Sequence, residues 1–230
     1  MPDNARETLA FESLDQPLSP LFLDYLAGRE RASAFFGPEG FDLEAIDRAA
    51  NRALSSEGPR AAVADALVRQ QEARSAAKAA QRARALADPE AVAIVTGQQA
   101  GLFGGPLYVL LKAVATLEVA RQLEQKRGRP VVPVFWVASD DHDFAEVRSD
   151  SVIDGSGAIR TLRYAPHREP LGAPAWAITL DDTVSGLTAE LGRVLGASGG
   201  RDEVLEAVAA CYVPGETISE AFARLVSRLL

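Results

Sequence analysis

AVAIVTGQQAGLFGGPLYVLLKAVATLEVARQLEQKRGRPVVPVFWV, residues 91–137, decides the fold. Its two ends, residues 91–95 and 131–137, are short apolar runs rich in Val and Ile without polar alternation, the pattern of strands covered on both faces. Between them Leu107, Leu110, Leu111, Val114, Leu117 and Leu123 recur at helical spacing. Pro106 suits the first turn of that helix, where its missing N–H costs nothing, and Gly128 suits its end. A strand, a helix of about 20 residues and a second strand make a crossover unit, parallel and right-handed in nearly all cases.

Working outward, residues 1–87 read as an N-terminal helical region. Leu21, Phe22, Tyr25 and Leu26 mark a short helix with Gly28 near its end. Asp42 suits the cap of the next, with Leu43, Ile46, Ala49, Ala50 and Leu54 on one face. Residues 60–86 are rich in Ala, Gln, Arg and Glu and free of internal Gly and Pro, which predicts one long surface or interdomain helix with a thin apolar stripe. Residues 88–154 form the first part of the α/β core. Residues 155–230 read as an inserted mixed lobe leading into the next core helix. Strand-like runs are expected at 159–164 and 176–180, and helices around 184–195, 201–212 and 217–230. The last carries Ile218, Phe222, Leu225, Val226 and Leu229 along one face and runs to Leu230 without a stop signal. A chain that continues past this point, leaving the stripe without its partners here, is the expectation.

Composition narrows the function. Apolar residues make up 47% of the 230 and charged residues 24%, which suits a packed core. A formal net charge of -8 argues against a general nucleic-acid binder, though a small anionic ligand can still meet a locally positive pocket. Cys211 is the only cysteine, so no disulfide forms within the chain, and its apolar neighbours predict an inert buried thiol. Residues 1–10 show no secretory leader, and the apolar runs fall short of the roughly 18 residues of a membrane span. A cytoplasmic protein, with neither membrane nor nucleic acid as partner, is expected.

Two loops carry the chemistry. Residues 96–106, TGQQAGLFGGP, follow one strand and precede the crossover helix. Gly97, Gly101, Gly104 and Gly105 let the backbone approach a ligand, and amides at a helix start favour an anion. A plain turn that needs glycine is the alternative. Gln98 and Gln99 offer both donors and acceptors to a polar ligand. Residues 136–146, WVASDDHDFAE, follow the second strand and set Asp140, Asp141, Asp143 and Glu146 around His142. Parallel strands send both loops to the same carboxyl edge of the sheet, where open α/β folds bind ligands. The cluster could hold Mg²⁺ or Zn²⁺, could use His142 as a general acid or base, or could be a polar loop with Asp143 as a helix cap. No residue is assigned as a metal ligand. Lys112 suits either a point charge at the ligand edge or a snorkelling surface lysine. His167 reads as structural or surface, and Trp136 and Trp176 as core.

At these loops the chain resembles the bacillithiol biosynthesis cysteine-adding enzymes. The resemblance lies in VTGQQAGLFGGPLYVLLKA (residues 95–113), RPVVPVFWVASDDHDFAEV (129–147) and ETISEAFARLV (216–226), and extends more weakly from about Leu18 to the end. It implies a Rossmann-like parallel sheet core, incomplete in this chain, with N-terminal helices and an inserted mixed α/β lobe. It also implies a longer whole protein, with a coiled-coil arm and a homodimer. The implied activity is a ligase joining cysteine, through its carboxyl group, to the amine of glucosaminyl-malate to give bacillithiol; this chain alone is expected to be inactive. The family's pattern has Glu where Asp140 stands and Asn-His where Arg148-Ser149 stand. Amide formation from a free carboxylate needs activation, so ATP, with Mg²⁺, is the expected co-substrate. Asp141, His142 and Asp143 are then the candidate catalytic group. Gly97, Gln98, Gln99, Gly101, Gly104, Gly105, Lys112, Asp140 and Glu146 are the candidate binding residues. Another amide-forming or group-transfer enzyme, or a non-catalytic fragment, stays open.

Overall fold

The computed structural model describes residues 18–36, 42–55 and 58–230, so the stretch read for a leader lies outside the described residues. The chain divides into two compact units, Met1–Glu57 and Gly58–Leu230.

In the first unit, α1 (Pro20–Leu26) starts where the Ser19 hydroxyl accepts from the Phe22 amide at 3.2 Å, with Pro at the start of the helix. It is followed by α2 (Glu30–Phe36) and α3 (Leu43–Leu54). Asp42 caps α3 by accepting from the Ala45 amide at 2.7 Å. Asp24 is buried, and Arg29 and Arg31 both pair with it. A carboxylate taken out of water needs such partners.

The second unit opens with α4 (Arg60–Ala73) and α5 (Ala77–Arg84), not one long helix. Ser75 takes a left-handed φ of 59° and ends α4. The Ala76 amide then donates to the Gln71 carbonyl at 2.9 Å and the Ser75 amide to Glu72 at 2.9 Å. That bonding pattern closes a helix and usually uses glycine. Here a serine does the work, so the break carries no Gly or Pro.

β1 (Val92–Gln98), α6 (Leu107–Arg127) and β2 (Val131–Val137) form the crossover unit, with the strands parallel from Val92 opposite Val131 to Gln98 opposite Val137. Gly128 ends α6 at a φ of 60°, its amide donating to Glu124. No helix of the described residues is long and apolar enough to cross a membrane. One sheet face is covered: Phe135 and Val137 pack with Val109, Phe222 and Val226. The other is covered at its start, where Val132 is buried, and open toward the carboxyl edge, leaving Val95 60% and Trp136 64% exposed. Within the described residues the strands are thus covered on one face and, on the other, only at their start, and Trp136 is not core. The apolar run without alternation records what each strand could bury, not what covers it here.

After β2 come α7 (Phe144–Val147) and the antiparallel pair β3 (Ser149–Ile153) and β4 (Ile159–Arg163). Residues 176–180 do not form the expected strand. Ala175–Ala177 is a short 3-10 turn behind Pro174, and only Thr179 bridges, to Thr217. Trp176 is exposed as well. The lobe ends in α8 (Thr183–Val194), α9 (Arg201–Cys211) and α10 (Ile218–Leu229). Thr217 caps α10, accepting from the Glu220 amide at 3.2 Å. Ile218, Phe222, Leu225 and Val226 are all buried, so most of the stripe expected to lack partners is covered within this chain. Cys211 is buried, and desolvation pushes its thiol above the usual range.

Candidate functional site

The parallel register ends at Gln98 and Val137, and both loops leave the same edge. The Ala138 amide donates to the Gln98 carbonyl at 3.0 Å, carrying the pairing one residue further. Gly97 is required here. A Cβ on it would stand 2.6 Å from the Trp136 carbonyl oxygen, so any side chain would push the ends of the two strands apart.

Side chains from both loops then join. The Gln99 amide nitrogen donates to Asp141 Oδ2 at 3.1 Å and to Glu146 Oε2 at 3.0 Å. The Gln98 nitrogen donates to Gln99 Oε1 at 2.6 Å and to the Tyr108 hydroxyl at 3.1 Å. Lys112 Nζ donates to Gln98 Oε1 at 2.9 Å and lies 5.2 Å from the centre of the Tyr108 ring. An ammonium can only donate and an ionised carboxylate can only accept, so the two ends fix which way each amide points. The order runs Lys112, Gln98, Gln99, then Asp141 and Glu146.

Asp141 is the best-held carboxylate of the group. The Asp143 backbone amide donates to its Oδ1 at 3.0 Å. That bond, then the Gln99 amide, hold Asp141 below the usual carboxylate range. The Asp143 carboxylate accepts from the Glu146 amide at 3.0 Å and so caps α7. Phe144 anchors the loop from below, buried, with the Arg148 guanidinium 4.7 Å from its ring centre. Asp140 and His142 are exposed on the same loop.

The glycine loop is turned inward. The Gly101 amide donates to the Gln99 carbonyl at 2.9 Å and the Gly105 amide to Leu102 at 2.9 Å. The Gly104 amide donates to the Tyr212 hydroxyl at 3.3 Å, and that hydroxyl donates to the Gly101 carbonyl at 3.0 Å. Gly104 sits at a φ of +101°, which a side chain strains to adopt. The loop therefore reaches the ligand edge through Gln98 and Gln99, while the amides of Gly101, Gly104 and Gly105 are committed inside the protein.

Two residues of this region escaped the sequence reading. Tyr108 lies four residues before Lys112 on α6, a spacing that places both on one helix face and could have found it. Tyr212 comes from beyond α9, and its link to Gly101 spans 111 positions, a distance no local pattern signals. His167, read as structural or surface, is exposed, and its ring bonds Asp182 at 2.7 Å. It stands with Asp181 and Asp182 in a group of metal-ligand types. The Asp181 carboxylate there already accepts from Tyr164, from Thr183 and from the His167 amide, as a satisfied helix-start knot does.

Comparison with known proteins matches residues 7–230 to the family model described as bacillithiol biosynthesis BshC, N-terminal Rossmann-like domain. Relatives carry the name "Putative cysteine ligase BshC". The one from Salinibacter ruber is 34% identical over 210 residues, covering 91% of this chain and 38% of the relative. That from Geobacillus thermodenitrificans is 36% identical over 213 residues, 91% of this chain and 39% of the relative. Over 91 residues, 39% of this chain and 16% of the relative, identity to the Symbiobacterium thermophilum protein reaches 54%. The chain thus spans less than two-fifths of the length of these relatives. With its parallel β1–β2 unit and the loops that leave it, the chain belongs to the BshC family of bacillithiol biosynthesis, within that family's N-terminal Rossmann-like domain.

Proposed function

We propose that this chain supplies an amine-handling edge of a ligase that joins the carboxyl group of cysteine to the amine of glucosaminyl-malate, the last step of bacillithiol biosynthesis. The observation that carries the proposal is the Gln99 amide, which ties the two motif loops together through Asp141 and Glu146. An amine is protonated at neutral pH and must lose a proton before it attacks a carbonyl carbon. The carboxylates of Asp141 and Glu146 hold the incoming ammonium. Exposed His142 on the same loop takes the proton, and Asp143 positions the loop by capping α7. The amine nitrogen then attacks the activated cysteine carboxyl carbon and forms the amide, the activating group leaving with the carboxyl oxygen and carrying away the second amine proton.

ATP is the co-substrate expected for that activation. The inward commitment of the loop amides does not fit a phosphate nest, so no step is assigned through a nucleotide on this loop.

The test uses the full-length protein with cysteine, glucosaminyl-malate and ATP, following the new thiol by mass spectrometry. His142→Ala should lower turnover about 10²–10⁴-fold, the usual contribution of a general acid or base, while His167→Ala leaves it unchanged. Equal, small effects from both substitutions would remove His142 from the mechanism.

A further inference from the structure

We propose that Tyr212 is a positioning residue for this edge: its phenol holds the 101–105 arch that aims Gln99 at the acidic loop. The proposal rests on the functional reading above, and it adds a residue from the far lobe to the working parts of the site.

Tyr212 is 2% exposed, so its hydroxyl must find its partners inside the protein. It finds both on the glycine loop, accepting from the Gly104 amide and donating to the Gly101 carbonyl. The Tyr212 ring meets the Phe103 ring edge-on, with centroids 5.1 Å apart and planes at 75°. Phe103 has a φ of 53°, a left-handed conformation uncommon for a bulky side chain. Such a conformation persists only where its surroundings enforce it, and it gathers at ligand loops. One side chain thus supports the strained residue of the arch and bonds the arch on either side of it, at Gly101 and Gly104.

The arch in turn starts on Gln99. The Gly101 amide bonds the Gln99 carbonyl at 2.9 Å, directly behind the side chain that bridges Asp141 and Glu146. A displaced arch displaces that bridge. Burial raises the Tyr212 phenol above its usual range, and its hydroxyl is engaged by Gly101 and Gly104. The ring fills space that a phenylalanine would fill equally well. What the hydroxyl alone provides is the grip on Gly101 and Gly104.

The experiment compares Tyr212→Phe with Tyr164→Phe in the full-length protein. Tyr164 is an equally buried phenol, bonded to Asp181 rather than to the loop, and reports what losing a buried hydroxyl does to stability alone. Tyr212→Phe should cut kcat about 10- to 100-fold, the scale of a small misplacement at a reacting centre, with KM moving far less. Tyr164→Phe should lower the melting temperature comparably and leave kcat unchanged. Hydrogen exchange at residues 96–106 should quicken in Tyr212→Phe only. An unchanged kcat in Tyr212→Phe beside a lowered melting temperature would make the phenol a packing element and overturn the proposal. If the wild-type protein does not join these substrates, the functional reading fails and exchange decides the positioning claim. Equal exchange at residues 96–106 in both variants would then reject it.

Discussion

Helices α10 and α6 both look apolar in sequence, and they meet opposite fates. Phe222 and Leu225 of α10 are 0% and 1% exposed, whereas Leu107 and Leu111 of α6 are 70% and 58% exposed. The apolar stripe of α10 is single, and the lobe, the start of α6 and Phe135 and Val137 of β2 cover it. In α6 one apolar face, with Val109, Ala113, Ala120 and Leu123, is buried, and a second, with Leu107, Leu111 and Val114, is open. A helix that is apolar around most of its circumference is built to be covered on more than one side. Running to the last residue was therefore the wrong sign of an unpartnered helix. The number of apolar faces was the better one.

Three substitutions probe that contrast, in order of expected effect. Phe222→Ala should cost about 3–5 kcal/mol of unfolding free energy in urea titrations, since it empties a filled site between α10 and Phe135. A loss under about 1 kcal/mol would mean that the α10 stripe is not core. Next, Arg74→Met removes a two-pronged bond from the residue that caps the end of α4 to Glu220 of α10, both contacts at 2.8 Å, with the Arg74 side chain 14% exposed. About 1.5–3 kcal/mol should go, the range for hydrogen bonds to charged groups. A loss near zero would show α10 held by its apolar face alone. Leu111→Gln on α6 should shift stability by no more than about 0.5 kcal/mol, as exposed positions do. A loss of 2 kcal/mol or more, of the order of a buried leucine, would put that second face inside the fold.

The same contrast separates what was legible in the sequence from what was not. The crossover unit could be read because each of its signals is local: two β-branched runs, leucines at helical spacing, Gly128 at the end. The meeting of Gln98, Gln99, Lys112, Asp141 and Glu146 followed from that unit, because parallel strands send their loops to one edge. The break at Ser75 could not be read, since it uses a serine where a glycine would have advertised the turn. The exposure of Trp136 and Trp176 was hidden for another reason: a residue type says how well it suits a core, and only a covering element puts it in one. The inward turn of the glycine loop uses the loop's own carbonyls and the distant Tyr212, and without those partners its amides read as free anion donors. Asp143 was legible in both senses, as reactive group and as cap, and the geometry gives it the α7 cap bond.

The exposed indoles change what light can report about this protein. The chain has two tryptophans, Trp136 at 64% and Trp176 at 60% exposure. Both flank the acidic loop: Trp136 lies four residues before Asp140, and the Trp176 amide donates to the Ser139 carbonyl at 3.0 Å. An indole in water already emits near its long-wavelength limit, so unfolding has little further red shift to produce, and emission colour will follow denaturation poorly. A molecule settling over the loop would instead shield or quench both fluorophores. Intrinsic fluorescence in this chain is a dye placed beside the candidate site, and a titration with cysteine or an amino sugar can use it without a label.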